Sequence, residues 1–466
     1  MAAPFTVLVM AAGQGTRMRS DTPKVLHRVA GKSLVQWVVD AAREAGAGRV
    51  VAIIRPGDGV AEGLPDGVEL VEQVEGEGTG SAVLAARDAV LNAAGGDADE
   101  GAVVVLSGDH PLITADQLRG LLEEHAQRGA LATLLTTDRL DPAGYGRVVR
   151  DSDGSVERIF ETKHTEGLSE DELAVREVNL GTYVFDANAL FGALDGVGLD
   201  NGERYLTNVL PIIKRNGGTI AAHLTDDGDA GIGVNDRAGL MAAEEAAQRR
   251  IVEAHARAGV TFLQPGTTRV EAGVTIGRDT VIGPGTVLEG ATTVGERCEL
   301  GPGTTARDAT IGDGAIVIHS FVLEATVGAD TWIGPFAYLR PGTTIGDGAK
   351  VGTFVEIKNS DIGAGAKVPH LSYIGDADVG EGSNLGASTI TANYDGRKKH
   401  RTKLGKSVKT GIHTSLVAPL NVGDRAYTGA GSTITGDVPD GALGIAREKQ
   451  KNIEGYADRV EEDSDK

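Results

Sequence analysis

The chain has 466 residues, enough for two or three domains, and its formal net charge of −21 disfavours nucleic acid and anionic membranes as general partners. Only 4% of residues are aromatic while 67 are glycine, so most packing falls to Val, Ile, Leu and Ala. The lone Cys298 excludes an intrachain disulfide and a cysteine-cluster metal site. With no basic-then-apolar start and no apolar run near about 18 residues, the expectation is a soluble, cytoplasmic protein with no integral membrane association. In chain order, TVLVMA (6–11), VVAII (50–54) and VVVLS (103–107) read as strands, with helical stretches at 33–46, 81–90 and 115–129. That alternation predicts a Rossmann-like, mostly parallel α/β sheet. Residues 239–259, rich in Ala, Glu and Arg and ending at Gly259, predict one exposed helix. The expected division is therefore 1–238, a linker helix at 239–262, and 263–466.

Beyond residue 262 an aliphatic residue recurs every six positions, often followed by glycine. Ile276-Gly277, Ile282-Gly283, Leu288, Val294-Gly295 and Leu300-Gly301 are in phase. The phase slips, then resumes from Ile333-Gly334 through Leu339, Ile345, Val351 and Ile357 to Val368 and Ile374. It returns at Leu404 and runs to Ile434. Neither helix nor plain strand has period six, but a flat strand plus a turn does, three units closing one triangular coil. Stacked coils make a narrow aliphatic core, which accounts for the scarce rings and abundant glycine. The second domain is thus expected to be an all-β, parallel β-helix of hexapeptide repeats. Between Thr391 and Leu404 the phase is lost over ANYDGRKKHRTK, a basic loop thrown out from the solenoid.

The first predicted strand runs into Met10-Ala11-Ala12-Gly13-Gln14-Gly15-Thr16-Arg17-Met18, and Pro23-Lys24 follow. Glycines after a strand let backbone N–H groups approach an anion. Arg17 offers a forked donor for phosphate oxygens and Lys24 a point charge. The spacing fits neither the P-loop nor the dinucleotide fingerprint. Asp109, at the end of VVVLS, stands where ligands bind on a parallel sheet, and reads as a metal ligand or as a helix cap.

These residues resemble the signature of the sugar-phosphate nucleotidyltransferases. With the hexapeptide repeats behind them, nearly the whole chain resembles the bifunctional N-acetylglucosamine-1-phosphate uridyltransferase/glucosamine-1-phosphate acetyltransferase family. The resemblance implies a left-handed β-helix and a homotrimer formed through it, with the acetyl-transfer site between subunits. It implies UTP and acetyl-CoA as co-substrates and Mg²⁺ held by Asp109 and Asn235, the latter in GVNDR. Ala11, Ala12 and Gly13 then belong to the nucleotide loop. Gln73, Gly78 and Thr79 in QVEGEGTGSA match the uracil-recognition segment. Gly146, Glu161 and Asn179 match amino-sugar contacts. Uridylyl transfer needs no protein nucleophile, so positioning and charge neutralisation by Mg²⁺, Arg17 and Lys24 carry it.

In the repeats, Arg340, Lys358 and Tyr373 lie about one coil apart and are expected to stack along one edge. Arg340 and Lys358 read as a phosphate pocket, Tyr373 and Asn384 as sugar-hydroxyl ligands, and His370 as the base for an attacking amine. Glu356 is expected to orient the His370 ring. The resemblance gives Asn393, in the extended loop, the thioester carbonyl, and Lys399 a neighbouring subunit. It gives Ala387, Tyr394, Ala430 and Arg447 contacts to acetyl-CoA. The chain departs from the pattern at Ile412-His413, where Ser-Asp is usual. If that pair cannot hold acetyl-CoA, uridylyl transfer remains and the β-helix is only a trimerisation scaffold. Smaller departures are Gln14, Ser81, His110, Leu180, Arg204 and Asn208.

Overall fold

The computed structural model describes residues 5–92, 101–160, 174–200 and 202–464. It divides into two compact units, 1–249 and 250–466. The division falls inside one helix, Arg237–Arg257, which is the helix predicted at 239–259.

The first unit is a sheet with helices on both faces. Strand order is Ile220–Leu224, Ala132–Thr137, Val178–Asp186, Ala102–Ser107, Thr6–Met10, Arg49–Ile54, Glu69–Glu72. All neighbours are parallel except Val178–Asp186, which runs antiparallel to both of its own. Alternate residues feed two cores. Leu8, Val51, Ile53, Val103 and Val105 pack on one face, and Val7, Val9, Val50, Ala52 and Val104 on the other. A sheet buried on both faces explains why these strands read as unbroken apolar runs. The helices are started by their sequence. Ser33 caps Leu34–Glu44 by accepting from the Gln36 N–H, and Thr114 with Gln117 forms a capping box on Ala115–Arg128.

The second unit is the β-helix, with three parallel sheets of 7, 10 and 9 strands among the described residues. Val281, Glu299, Ile316 and Trp332 stack rung on rung, 16 to 18 residues apart. The six-residue series points inward: Ile282, Leu288, Leu300, Ile333, Leu339, Val351, Ile357 and Ile374 are fully buried. The slip between Leu300 and Ile333 does not interrupt the solenoid. Ala306, Ile311, Val317, Val322 and Val327 continue the buried column, because several turns there are one residue shorter. Buried hydroxyls accompany the aliphatic residues at the turns, and many of them donate to a carbonyl. Thr286 donates to Gly283 O at 2.8 Å and Thr304 to Val317 O at 2.8 Å.

Close stacking sets a limit on side chains. A Cβ on Gly352 would lie 2.0 Å from the Pro369 carbonyl oxygen. Gly352→Ala is expected to lower stability by about 1–3 kcal/mol through overpacking, read as a lowered melting transition of the full chain. An unchanged melt would mean that the coils can spread at this rung.

Candidate active sites

The first site forms where Thr6–Met10 is flanked by Arg49–Ile54 on one side and Ala102–Ser107 on the other. The strand order reverses there, which opens a crevice at the carboxyl ends. A cavity of about 410 Å³ occupies it, lined by Ala12, Gly13, Arg17, Lys24, Gln73, Gly78, Thr79, Asp109 and Asn235. Gly15 turns the loop at φ +60°, and a Cβ on it would lie 2.7 Å from Lys24 Cβ. Ala11 is not on this lining. It is buried in the core, and its N–H donates to Ile53 O at 2.8 Å. Its backbone thus stays tied to the neighbouring strand just past Met10, in keeping with the apolar run 6–11.

The charges in this cavity are arranged around Asp109. Lys24 Nζ pairs with Asp109 Oδ2 and also reaches Asn235 Oδ1 at 3.5 Å. Arg17 Nη2 donates to the same Asn235 oxygen at 2.9 Å, and Ser107 Oγ donates to Asp109 Oδ1 at 2.6 Å. Burial pushes the Asp109 carboxyl up, but the charges of His110 and Lys24 and the bonds from Lys24 and Ser107 outweigh it. The carboxyl is held below its usual value, so it is ionised at neutral pH. Asp109 and Asn235 thus aim oxygens at one point that an ammonium now reaches, which fits a cation site with an anionic and a neutral oxygen donor.

A second cavity, about 320 Å³, shares Met10, Thr79 and Ser107 with the first. Gly146 and Asn179 line it, as do His110 and Leu180, two of the departures from the family pattern. Asn179 is fixed by its own neighbours: its N–H donates to Gly146 O at 2.8 Å and its side-chain amide to Tyr183 Oη at 2.7 Å. Glu161 lies outside the described residues. Arg55 and Ser107 also line the first cavity, and the sequence motifs do not include them. Arg55 follows directly on the buried strand Arg49–Ile54, a strand-end placement like that of Asp109, two residues past Ala102–Ser107, and it is readable in the sequence. It is tied to Ala12 O at 2.7 Å and to Glu77 at 2.8 Å.

In the β-helix, Arg340 and Lys358 stack on successive rungs, with the Arg340 N–H donating to Ile357 O at 2.9 Å. Tyr373 pairs with Glu356, and Lys358 with Gly375. Tyr373 therefore does not stack on Lys358 directly. Its ring lies over Gly375 instead, where a Cβ would meet Tyr373 Oη at 2.4 Å. Glu356 does not orient His370: it is paired with Arg340 Nη1 at 2.8 Å. The exposed His370 ring has no hydrogen-bond partner among the described residues. His370 sits at the end of strand Lys367–His370, at the corner before Tyr373–Gly375. Asn384 is bridged to Lys367 on the sheet to the other side of that corner.

Above His370 a column climbs the corner. Ser388 N donates to His370 O, His413 N to Ala387 O, and Gly431 N to Ile412 O. Ala387, Ile412 and Ala430 thus succeed His370 on consecutive coils, and Arg447 Cδ stands 3.9 Å from where a Gly431 Cβ would be. Ile412 is 52% exposed on this column. The predicted excursion is a small hairpin, with Tyr394 bridged antiparallel to Lys399 and His400 N donating to Asn393 O at 2.7 Å. Tyr394 is exposed on it.

Comparison with known proteins decides the family. Residues 7–170 match the MobA-like NTP transferase domain, and 273–307 and 324–359 match the bacterial transferase hexapeptide repeat. A Geobacillus sp. (strain WCH70) protein named "Bifunctional protein GlmU" is 46% identical, covering 97% of each chain. One of the same name from Mycolicibacterium vanbaalenii is 47% identical over 97% of this chain and 92% of its own. Another from Listeria monocytogenes serotype 4a is 46% identical over 97% of each chain. The chain belongs to the bifunctional GlmU family. As a GlmU-family enzyme it is both a uridylyltransferase and an acetyltransferase, with a nucleotide and an acyl donor as co-substrates, and it makes UDP-N-acetylglucosamine. No helix among the described residues is long and apolar enough to cross a membrane.

Proposed function

We propose that each transfer has its own site in its own unit. Acetyl transfer from acetyl-CoA to glucosamine 1-phosphate runs at the β-helix corner, and uridylyl transfer from UTP runs over the glycine loop. The observation that carries this is the convergence of Arg17 and Lys24 on Asp109 and Asn235. In the uridylyl site, a phosphate oxygen of N-acetylglucosamine 1-phosphate attacks the α-phosphorus of UTP. The bond to the departing pyrophosphate breaks in line. Arg17 and Lys24 bind and neutralise phosphate oxygens, and Gln73, Gly78 and Thr79 seat the base. Gly146 and Asn179 seat the amino sugar. Asp109 and Asn235 would hold Mg²⁺, which when bound supplies further positive charge beside the phosphates. The Lys24 ammonium must then turn from Asp109 toward phosphate.

In the acetyl site, Arg340 and Lys358 hold the sugar phosphate while Tyr373 and Asn384 bind hydroxyls. His370 takes a proton from the amine as the nitrogen attacks the thioester carbonyl. The carbon–sulfur bond breaks and the thiolate of coenzyme A leaves. An N–H of Asn393 stabilises charge on the carbonyl oxygen. Ala387, Tyr394, Ala430 and Arg447 line the donor. The Ile412 side chain cannot hydrogen-bond the donor, so apolar contact replaces it there. The working form is a cytoplasmic homotrimer joined through the β-helix.

The two sites should separate on chelation. Excess EDTA is expected to abolish pyrophosphate release from UTP and N-acetylglucosamine 1-phosphate and to leave thiol release from acetyl-CoA unchanged, with Mg²⁺ restoring the first. Pyrophosphate release that survives chelation would contradict the assignment of Asp109 and Asn235.

A further inference from the structure

Asp376 lies at the foot of the loop that interrupts the β-helix, and neither transfer as described uses it. It occupies a corner at φ +49°, a left-handed conformation that aspartate tolerates better than most residues. Its backbone is locked into the stack, the N–H donating to Lys358 O at 3.0 Å and the carbonyl accepting from Thr402 N at 3.1 Å. The residue is only 6% exposed. Three donors nevertheless meet its carboxylate. Asn359 Nδ2 lies 2.6 Å from Oδ1, Asn393 Nδ2 lies 2.5 Å from Oδ2, and the Lys358 ammonium lies 3.6 Å from Oδ2. Burial pushes this carboxyl up, but the bonds from Asn359 and Asn393 and the charges of Lys358 and Lys399 outweigh it and hold it below its usual value.

A buried carboxylate must find partners, so the number of contacts is unremarkable. Their identity is informative. Two of the three are groups that act on substrate in the acetyl-transfer reading: Asn393 on the acyl carbonyl and Lys358 on the sugar phosphate. The other end of the loop is fixed separately, by Arg401 to Asp378, to Asp361 at 3.0 Å and to Asn359 O at 3.1 Å. The loop's start is fixed by the ladder as well, Ala418 N donating to Ala392 O at 3.1 Å, so the contact from Asp376 bears on the Asn393 side chain rather than on keeping the loop attached. An amide nitrogen carries two donors, so one N–H of Asn393 can be held while the other stays available.

We infer that Asp376 is a positioning residue for acyl transfer, holding Asn393 by one N–H so that the other faces the thioester carbonyl, and offsetting part of the Lys358 charge where the sugar phosphate binds. The inference rests on the acetyl-transfer reading of this corner. It predicts a division between kinetic constants that a purely structural role does not. In Asp376→Asn an amide replaces the carboxylate, and its NH₂ opposes one of the donors it used to accept. Acetyl transfer kcat is expected to fall about 10–100-fold, as when a group that orients an active-site ligand is lost. KM for glucosamine 1-phosphate should stay level or fall, because Lys358 loses a competing anion.

The test is steady-state acetyl transfer by the full chain carrying Asp376→Asn, Asn393→Ala, or both, with pyrophosphate release from each preparation as the folding control. If Asp376 acts through Asn393, the double variant is no slower than Asn393→Ala, since the two changes remove one interaction. A wild-type kcat in Asp376→Asn overturns the inference, as does a double variant whose losses multiply. A KM that rises several-fold in step with a lost melting transition also overturns it. An inactive wild type would instead overturn the acetyl-transfer reading, and this inference with it. Should Asp376→Asn not fold, hydrogen exchange supplies the same test. Asn393→Ala should speed exchange of the 394–399 amides at least about 10-fold if the clamp orders the hairpin, and unchanged exchange overturns the claim.

Discussion

His370→Ala is expected to reduce acetyl transfer by about 10²–10⁴-fold while leaving uridylyl transfer at its wild-type rate. The side chain is exposed, makes no hydrogen bond among the described residues, and contributes nothing to the aliphatic core, so its loss should cost little stability. What it occupies is a position between two sets of groups. On the coils above it are Ala387, Ile412 and Ala430, on the column assigned to the acyl donor. On the adjoining sheet are Arg340 and Lys358, assigned to the acceptor phosphate. A base at that corner meets an amine delivered from one side and a thioester from the other. Thiol release and pyrophosphate release, measured on one preparation, check the prediction. A residual acetyl-transfer rate within a few-fold of wild type would place the base elsewhere. Equal loss of both activities would point to misfolding.

Asp109→Asn should have the converse effect. The change keeps the shape and removes the charge of a buried carboxylate that pairs with Lys24 and lies near His110, with Arg17 on the adjacent Asn235. Two consequences follow. Asp109 is the one anionic residue of the two proposed to hold a divalent cation, so uridylyl transfer should fall at least about 10²–10³-fold. The buried partner of Lys24 is also gone, and breaking such a pair costs about 3–5 kcal/mol when the remaining charge cannot reach water. Lys24 lines an open cavity and can reach water, so the stability loss should be smaller than that range. Pyrophosphate release at saturating Mg²⁺ reads the first effect and a thermal melt the second. Acetyl transfer should persist, since its assigned residues all belong to the other unit.

Much of this was legible in the sequence because it is local or periodic. The glycine loop follows directly on an apolar strand, Arg17 and Lys24 belong to the motif that continues it, and Asp109 stands just past another strand; a parallel sheet delivers strand ends to one edge. The six-residue period survives in sequence because each coil repeats one steric problem. Where turns shortened between Leu300 and Ile333, the period vanished although the buried column did not. Ala11 both ends the apolar run 6–11 and opens the glycine-loop motif, and composition does not mark where one stops and the other starts. Pairings across coils were harder still. Glu356 was expected on His370 but lies level with Tyr373 and meets Arg340, because register, not sequence distance, selects neighbours. Asp376 carries no motif, and its importance appears only when the loop closes Asn393 onto it. Gly375 carries no motif either, yet its missing side chain is what makes room for the Tyr373 ring.

The most direct test of two working sites in one chain is made on the unaltered protein. Thiol release from acetyl-CoA is measured with and without glucosamine 1-phosphate, beside pyrophosphate release from UTP with N-acetylglucosamine 1-phosphate. Both reactions are expected, with thiol release strictly dependent on the amino sugar, which would make Ile412-His413 compatible with the acyl donor. Pyrophosphate without thiol would contradict it, and would leave the β-helix corner, from Arg340 to Arg447, without the acetyl-transfer roles assigned to it.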